Sequence, residues 1–128
     1  MSNKTMSNKT VIKRQGLMRL IFTLSHSFNG LKWMSRFEAA FQQELALFSL
    51  LGVFVWLQEI ALRDKLLLIA SLLFVLFAEL VNTAVEVVVD RIGSEYHELS
   101  GLAKDIASAS VFIAMLIAAL IWWAVLWA

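Results

Sequence analysis

Residues 106 to 128 run for 23 positions without one charged side chain. At about 1.5 Å per residue, such a run is long enough as a helix to cross the roughly 30 Å hydrocarbon core of a bilayer. Helix is the economical answer there, because it satisfies its backbone hydrogen bonds internally where no water is available. Two further runs repeat the pattern. Residues 66 to 89 give 24 positions whose only ionisable side chains are Glu79 and Glu86, and Asp90 follows. Residues 37 to 57 open with Glu38, Gln42, Gln43 and Glu44, then hold 13 uncharged positions from Leu45 to Leu57. Only 16% of the chain is charged, against about 25% in soluble domains, so lipid or other subunits must cover part of it.

The sequence therefore predicts an all-α membrane protein with spans near 37–57, 66–90 and 106–128, joined by polar connections at 58–65 and 91–105. One membrane-embedded domain covers 11–128, after a disordered tail at 1–10 in which MSNKT is written twice. Between Val11 and Ser27, Val11, Ile12, Leu17, Leu20, Ile21 and Leu24 alternate with Lys13, Arg14 and Arg19, the pattern of a basic amphipathic helix on the membrane surface. Asn29-Gly30 reads as a break before a short helix bearing Lys32, Trp33 and Arg36. Seven of the eleven basic residues precede the first span, which puts the N-terminus in the cytoplasm and the C-terminus on the far side. Trp56, Trp122, Trp123 and Trp127 then fall near the outer interface, as an aromatic belt does.

Several function classes drop out. With no cysteine there is no disulfide scaffold, thiolate metal site or cysteine nucleophile. The five glycines build neither a P-loop nor a kinase glycine-rich loop. A net charge of +1 gives no basis for nucleic-acid binding.

What remains is an acidic constellation in an apolar setting. Glu79, Asn82, Thr83, Glu86 and Asp90 are spaced so that, at about 100° per residue, they share one face of the second span. A charge facing lipid costs at least about 2.5 kcal/mol, so these carboxylates need protein, water, protons or metal before them. With the N-terminus inside, they occupy the cytoplasmic half of the span, at the depth where Glu38 and Glu44 enter the first span and Lys104 and Asp105 enter the third. Clustered carboxylates there suit a hard cation such as Mg²⁺, which commonly arrives with nucleotide phosphates, and one lysine would offset phosphate charge. Glu79, the deepest, is the candidate general base. His26 and His97 lack ligand spacing.

The stretch AELVNTAVEVVVDRIGSEYHELSGLAKDIASA, running through Glu79 and Asp105, resembles the signature of the bacterial integral-membrane diacylglycerol kinases, including the related undecaprenol kinases. FEAAFQQE at 37–44 is similar to their first-span entry. The resemblance covers about residues 19–127 and implies a homotrimeric bundle in the bacterial inner membrane, each subunit having a surface helix and three spans, with sites shared between subunits. It implies phosphorylation of diacylglycerol to phosphatidate by MgATP. Glu79 would be the base and Asn82 a catalytic partner that positions the reacting groups. Glu38 and Glu86 would hold the divalent cation. Arg19, Glu38, Glu86, Asp90, Glu95, Tyr96, His97, Lys104 and Asp105 would bind ATP, and Arg19, Lys32, Trp33, Glu44, Glu79 and Ser108 would meet the lipid. Ala107, Ala114 and Ala118 are small enough for close packing within the trimer. Two alternatives stay open: an undecaprenol kinase using the same carboxylates, and an oligomeric ion or proton pathway. The pathway predicts acids across the whole bilayer, yet Leu66 to Ala78 holds only Ser71 as a polar side chain.

Overall fold

A computed structural model describes residues 15–128, so the repeated MSNKT tail and the start of the basic segment lie outside the described residues. Four helices follow in order: α1 Leu17–Phe37, α2 Ala39–Trp56, α3 Leu62–Ile92 and α4 Glu98–Trp127. The last three are each long and apolar enough to cross a membrane, which matches the three expected spans.

The chain divides at Trp33 into two units. In the first, Gly16 supplies the positive φ of 68° from which α1 starts. Thr23 Oγ1 donates to the Arg19 carbonyl at 2.8 Å and Ser27 Oγ to the Thr23 carbonyl at 2.9 Å. The expected break at Asn29-Gly30 does not occur, and α1 is continuous through it. A glycine inside a helix costs only about 1 kcal/mol relative to alanine, and no proline is there to enforce a stop.

The interruption falls instead at Glu38, the one non-helical residue between α1 and α2, with extended backbone (φ −102°, ψ 108°). Gln42 Nε2 donates to the carbonyls of both Ser35 and Arg36 at 3.0 Å, satisfying groups left open where α1 ends.

In the second unit, α3 is the central helix, packed against both α2 and α4. Its buried side chains are Leu68, Ser71, Leu72, Val75, Ala78, Thr83 and Val89, a seam with the near-3.5 spacing of paired helices. From α4, Ala107, Val111, Ala114 and Ala118 are buried. Val75, Ala78, Val111, Ala114 and Ala118 form one cluster, with Phe48 of α2 against it. Of the small residues named for close packing, Ala114 and Ala118 pack against α3 within this chain. The outward faces carry Leu50, Phe112, Leu120 and many similar side chains more than half exposed, a surface suited to hydrocarbon rather than water.

Both polar connections are shorter than composition suggests. Residues 62–65 already belong to α3, and 98–105 to α4. Polar side chains report solvent contact and not backbone conformation; here Asp64 and Glu98 sit in the first turns of their helices, where the helix dipole favours them. The connection between α2 and α3 is held by Lys65, whose Nζ donates to the Trp56 carbonyl at 2.8 Å and lies 5.5 Å from the Trp56 ring centroid. Trp122 also departs from the aromatic belt. It is half-buried, and its indole N–H donates at 2.9 Å to Ser71 Oγ, which itself donates to the Leu68 carbonyl at 2.6 Å.

Candidate functional site

The acidic face of α3 continues the seam that packs α2 and α4. Outward of Ala78 the seam is closed by Val75 and Leu68, at 2% and 0% exposure; from Glu79 onward it is polar. Glu79, Asn82 and Glu86 are all half-buried, and Thr83 between them is buried. The spacing argument therefore holds for the face, while Asp90, a turn beyond Glu86, is exposed.

Two pairings organise these groups. Asn82 Nδ2 donates to Glu86 Oε1 at 3.1 Å, one helical turn away, and this orients the Glu86 carboxylate. Glu44 on α2 is half-buried. Lys104 Nζ on α4 donates to Asp90 Oδ1 at 2.9 Å, and Glu86 is near enough to act electrostatically on the same ammonium. Among the described residues two buried oxygens have no partner, Glu44 Oε2 and Asn82 Oδ1. A buried acceptor without a donor is costly unless something arrives to satisfy it, and both belong to this cluster.

Beside the cluster, the turn from α3 to α4 borders a cleft of about 280 Å³ lined by Asp90, Glu95, Tyr96, His97 and Lys104 among others. Five expected nucleotide residues thus converge. His97 has a second duty: as N-cap of α4 its Nδ1 accepts from the Leu99 N–H at 3.1 Å, which leaves Nε2 as the ring's other hydrogen-bonding position. Tyr96 is 91% exposed, so its ring is available to a ligand.

Other expected residues stand apart from these contacts. Asp105 and Ser108 are exposed on α4, outside the residues lining the cleft. Arg19, Lys32 and Trp33 belong to the first unit and are exposed there. Glu38 is half-buried and makes no capping hydrogen bond with its side chain. Among the described residues no three acidic or histidine side chains gather as a metal cage.

Sequence reasoning missed Gln42, Ser71 and the capping role of His97. Only the cap had a local signal, a polar residue directly before an acidic first turn.

Three apolar helices with an acidic face confined to one end, a lysine opposite and a polar cleft alongside define a membrane protein with a site buried at one interface. Residues 25–126 match the model of the prokaryotic diacylglycerol kinase family. The chain is 44% identical over 125 residues to the diacylglycerol kinase of Escherichia coli strain K12, covering 95% of this chain and 97% of that one. It is 45% identical over 114 residues to the diacylglycerol kinase of Haemophilus influenzae, covering 89% and 97%. With the diacylglycerol kinase of Pseudomonas aeruginosa it shares 36% over 107 residues, covering 84% and 87%. The chain belongs to the prokaryotic diacylglycerol kinase family, and is therefore a bacterial membrane protein and a lipid kinase.

Proposed function

We propose that the chain is one membrane-embedded kinase domain that phosphorylates diacylglycerol to phosphatidate with MgATP at the cytoplasmic face of the bacterial inner membrane. Its N-terminus is cytoplasmic, its C-terminus periplasmic, α1 lies along the membrane surface, and the subunit works as a homotrimer with sites shared between copies. The observation that carries the reading is the half-buried row Glu79, Asn82 and Glu86 on α3, facing inward at the same end as Lys104 and the cleft.

In the reaction, the Glu79 carboxylate takes the proton from the lipid hydroxyl. The hydroxyl oxygen forms a bond to the γ-phosphorus while the bond from that phosphorus to the β–γ bridging oxygen breaks, and ADP leaves. Little covalent work falls to the protein, because phosphoryl transfer asks mainly for positioned reactants and neutralised charge. Asn82 holds Glu86 in place and offers its unpartnered Oδ1 to an incoming donor. Lys104 meets phosphate oxygens, while Glu95, Tyr96, His97 and Asp105 line the nucleotide and Asp90 borders it. Glu38 and Glu86 are the carboxylates that would hold Mg²⁺, which would supply charge neutralisation to the phosphates. Glu44 and Ser108 are assigned to the lipid, as are Arg19, Lys32 and Trp33, and Arg19 is assigned to the nucleotide as well.

An ion pathway finds no support in the outer half of α3, where the continuation of the acidic face is packed shut by Leu68, Leu72 and Val75. The test is transfer of labelled γ-phosphate from MgATP in mixed micelles containing diacylglycerol and undecaprenol, with Glu79→Gln alongside. Labelled phosphatidate that disappears in the variant supports the proposal. Label on undecaprenol alone replaces the lipid acceptor, and undiminished turnover in Glu79→Gln removes the assigned base.

A further inference from the structure

Asp90 lies at the cytoplasmic end of the acidic face, but its contacts differ from those of its neighbours. It is the most solvent-exposed member, with 67% of its side chain accessible, and its ion pair reaches across to α4. The partner, Lys104, is 43% accessible and belongs to the same cleft wall. Lysine is a point charge on a flexible four-carbon stem, with three donors and considerable rotamer entropy to lose. Held by Asp90 at 2.9 Å, its ammonium keeps two donors for other acceptors, and part of the ordering needed to meet a phosphate is already done. Asp90 itself, an anion, repels phosphate. Its two effects on an anionic ligand therefore have opposite signs, which makes them separable.

We infer that Asp90 is a positioning residue that acts through Lys104, holding the lysine over the cleft, and does not itself touch the nucleotide. The inference rests on the cleft being the nucleotide site. It assigns Asp90 a favourable contribution to MgATP affinity despite its charge, since orientation of Lys104 outweighs repulsion.

The experiment measures KM for MgATP, KM for diacylglycerol and kcat for the full-length protein in mixed micelles, for the parent, Asp90→Asn and Asp90→Glu. For an exposed pair the expected rise in the MgATP KM of Asp90→Asn is about two- to fivefold, with the lipid KM unchanged and kcat altered less. Asp90→Glu keeps the charge, and the flexible lysine follows it, so its MgATP KM returns toward the parent value. A MgATP KM that stays the same or falls in Asp90→Asn overturns the inference, since repulsion alone would then describe the residue. Equal losses for both substrates, or no recovery in Asp90→Glu, overturn it as well by assigning Asp90 to fold or to direct contact. If the parent itself transfers no phosphate to lipid, the proposed function fails first; a parent that works beside an unaffected Asp90→Asn refutes this inference alone.

Discussion

Replacing Ser71 with alanine takes away the acceptor of the Trp122 indole N–H, a 2.9 Å hydrogen bond between α3 and α4 at a side chain only 4% exposed. The two side chains are nearly the same size, so little cavity opens and the lost bond dominates. Hydrogen bonds between membrane helices average about 0.6 kcal/mol and reach about 1.7 kcal/mol. The buried setting and the indole N–H left without a partner place Ser71→Ala in the upper part of that range, about 1 to 1.5 kcal/mol. The Ser71 donation to the Leu68 carbonyl at 2.6 Å is local to α3 and contributes little, because helical carbonyls already accept from within the helix. Trp122→Phe loses the same bond plus packing. The assay is reversible unfolding in detergent mixtures at fixed protein concentration, followed by near-ultraviolet circular dichroism, for both single variants and the double. Since the bond can be lost only once, the double variant should be less damaged than the sum of the singles by about 0.6 to 1.7 kcal/mol. Additivity within about 0.3 kcal/mol, or a neutral Ser71→Ala, would refute the reasoning. Kinase activity at a permissive temperature should be near normal in Ser71→Ala, because the bond lies in the half of α3 away from the acidic face.

Other expectations test packing and site separately. Ala114, 1% exposed inside the α3–α4 cluster, leaves no space for leucine, so Ala114→Leu should destabilise by about 1 to 3 kcal/mol in the same unfolding assay. Leu116→Ala, at a position 45% exposed, should change the unfolding midpoint far less. Glu86→Ala should raise the Mg²⁺ concentration needed for half-maximal turnover before it affects lipid binding; an unchanged Mg²⁺ titration would exclude Glu86 as a ligand. His97→Ala removes the cap of α4 and should cost about 1 kcal/mol, whereas His97→Asn should retain that stability yet bind nucleotide less well if the ring also serves the cleft. Equal stabilities for the two variants would show that the cap is not what His97 contributes.

What the amino-acid order reveals depends on whether a feature is local. The three spans are legible because length and absence of charge alone require them, as the run from Ile106 shows most simply. The acidic face of α3 is legible for a related reason: helical periodicity puts Glu79, Asn82 and Glu86 together whatever surrounds them. Helix ends are harder. Asn29-Gly30 carries a turn signal yet stays helical, while Glu38 carries none and breaks the chain, with Gln42 bonding back to Ser35 and Arg36. Partnerships between helices, such as Ser71 with Trp122 and Asp90 with Lys104, are invisible at that level. Composition and length place the groups at a common depth, but which faces meet is not encoded in the neighbouring residues.

The use of one seam for two purposes explains how so short a chain can hold a reactive centre in lipid. α3 is the helix both neighbours contact, so any side chain on its inward face is shielded from hydrocarbon by protein. In the first half of α3 that shielding goes to stability, with Leu68, Leu72 and Val75 buried and Ser71 tied to Trp122. In the second half the same face carries carboxylates, and the packing is incomplete: Glu79, Asn82 and Glu86 are only half-buried, and, among the described residues, Glu44 Oε2 and Asn82 Oδ1 lack partners. Filling that face with leucine would extend the apolar packing of α3 and remove the unsatisfied Asn82 oxygen. Stability would be expected to rise as function is lost, because unpaired groups that weaken the unliganded helix pair are the ones able to receive a hydroxyl, a phosphate or a cation.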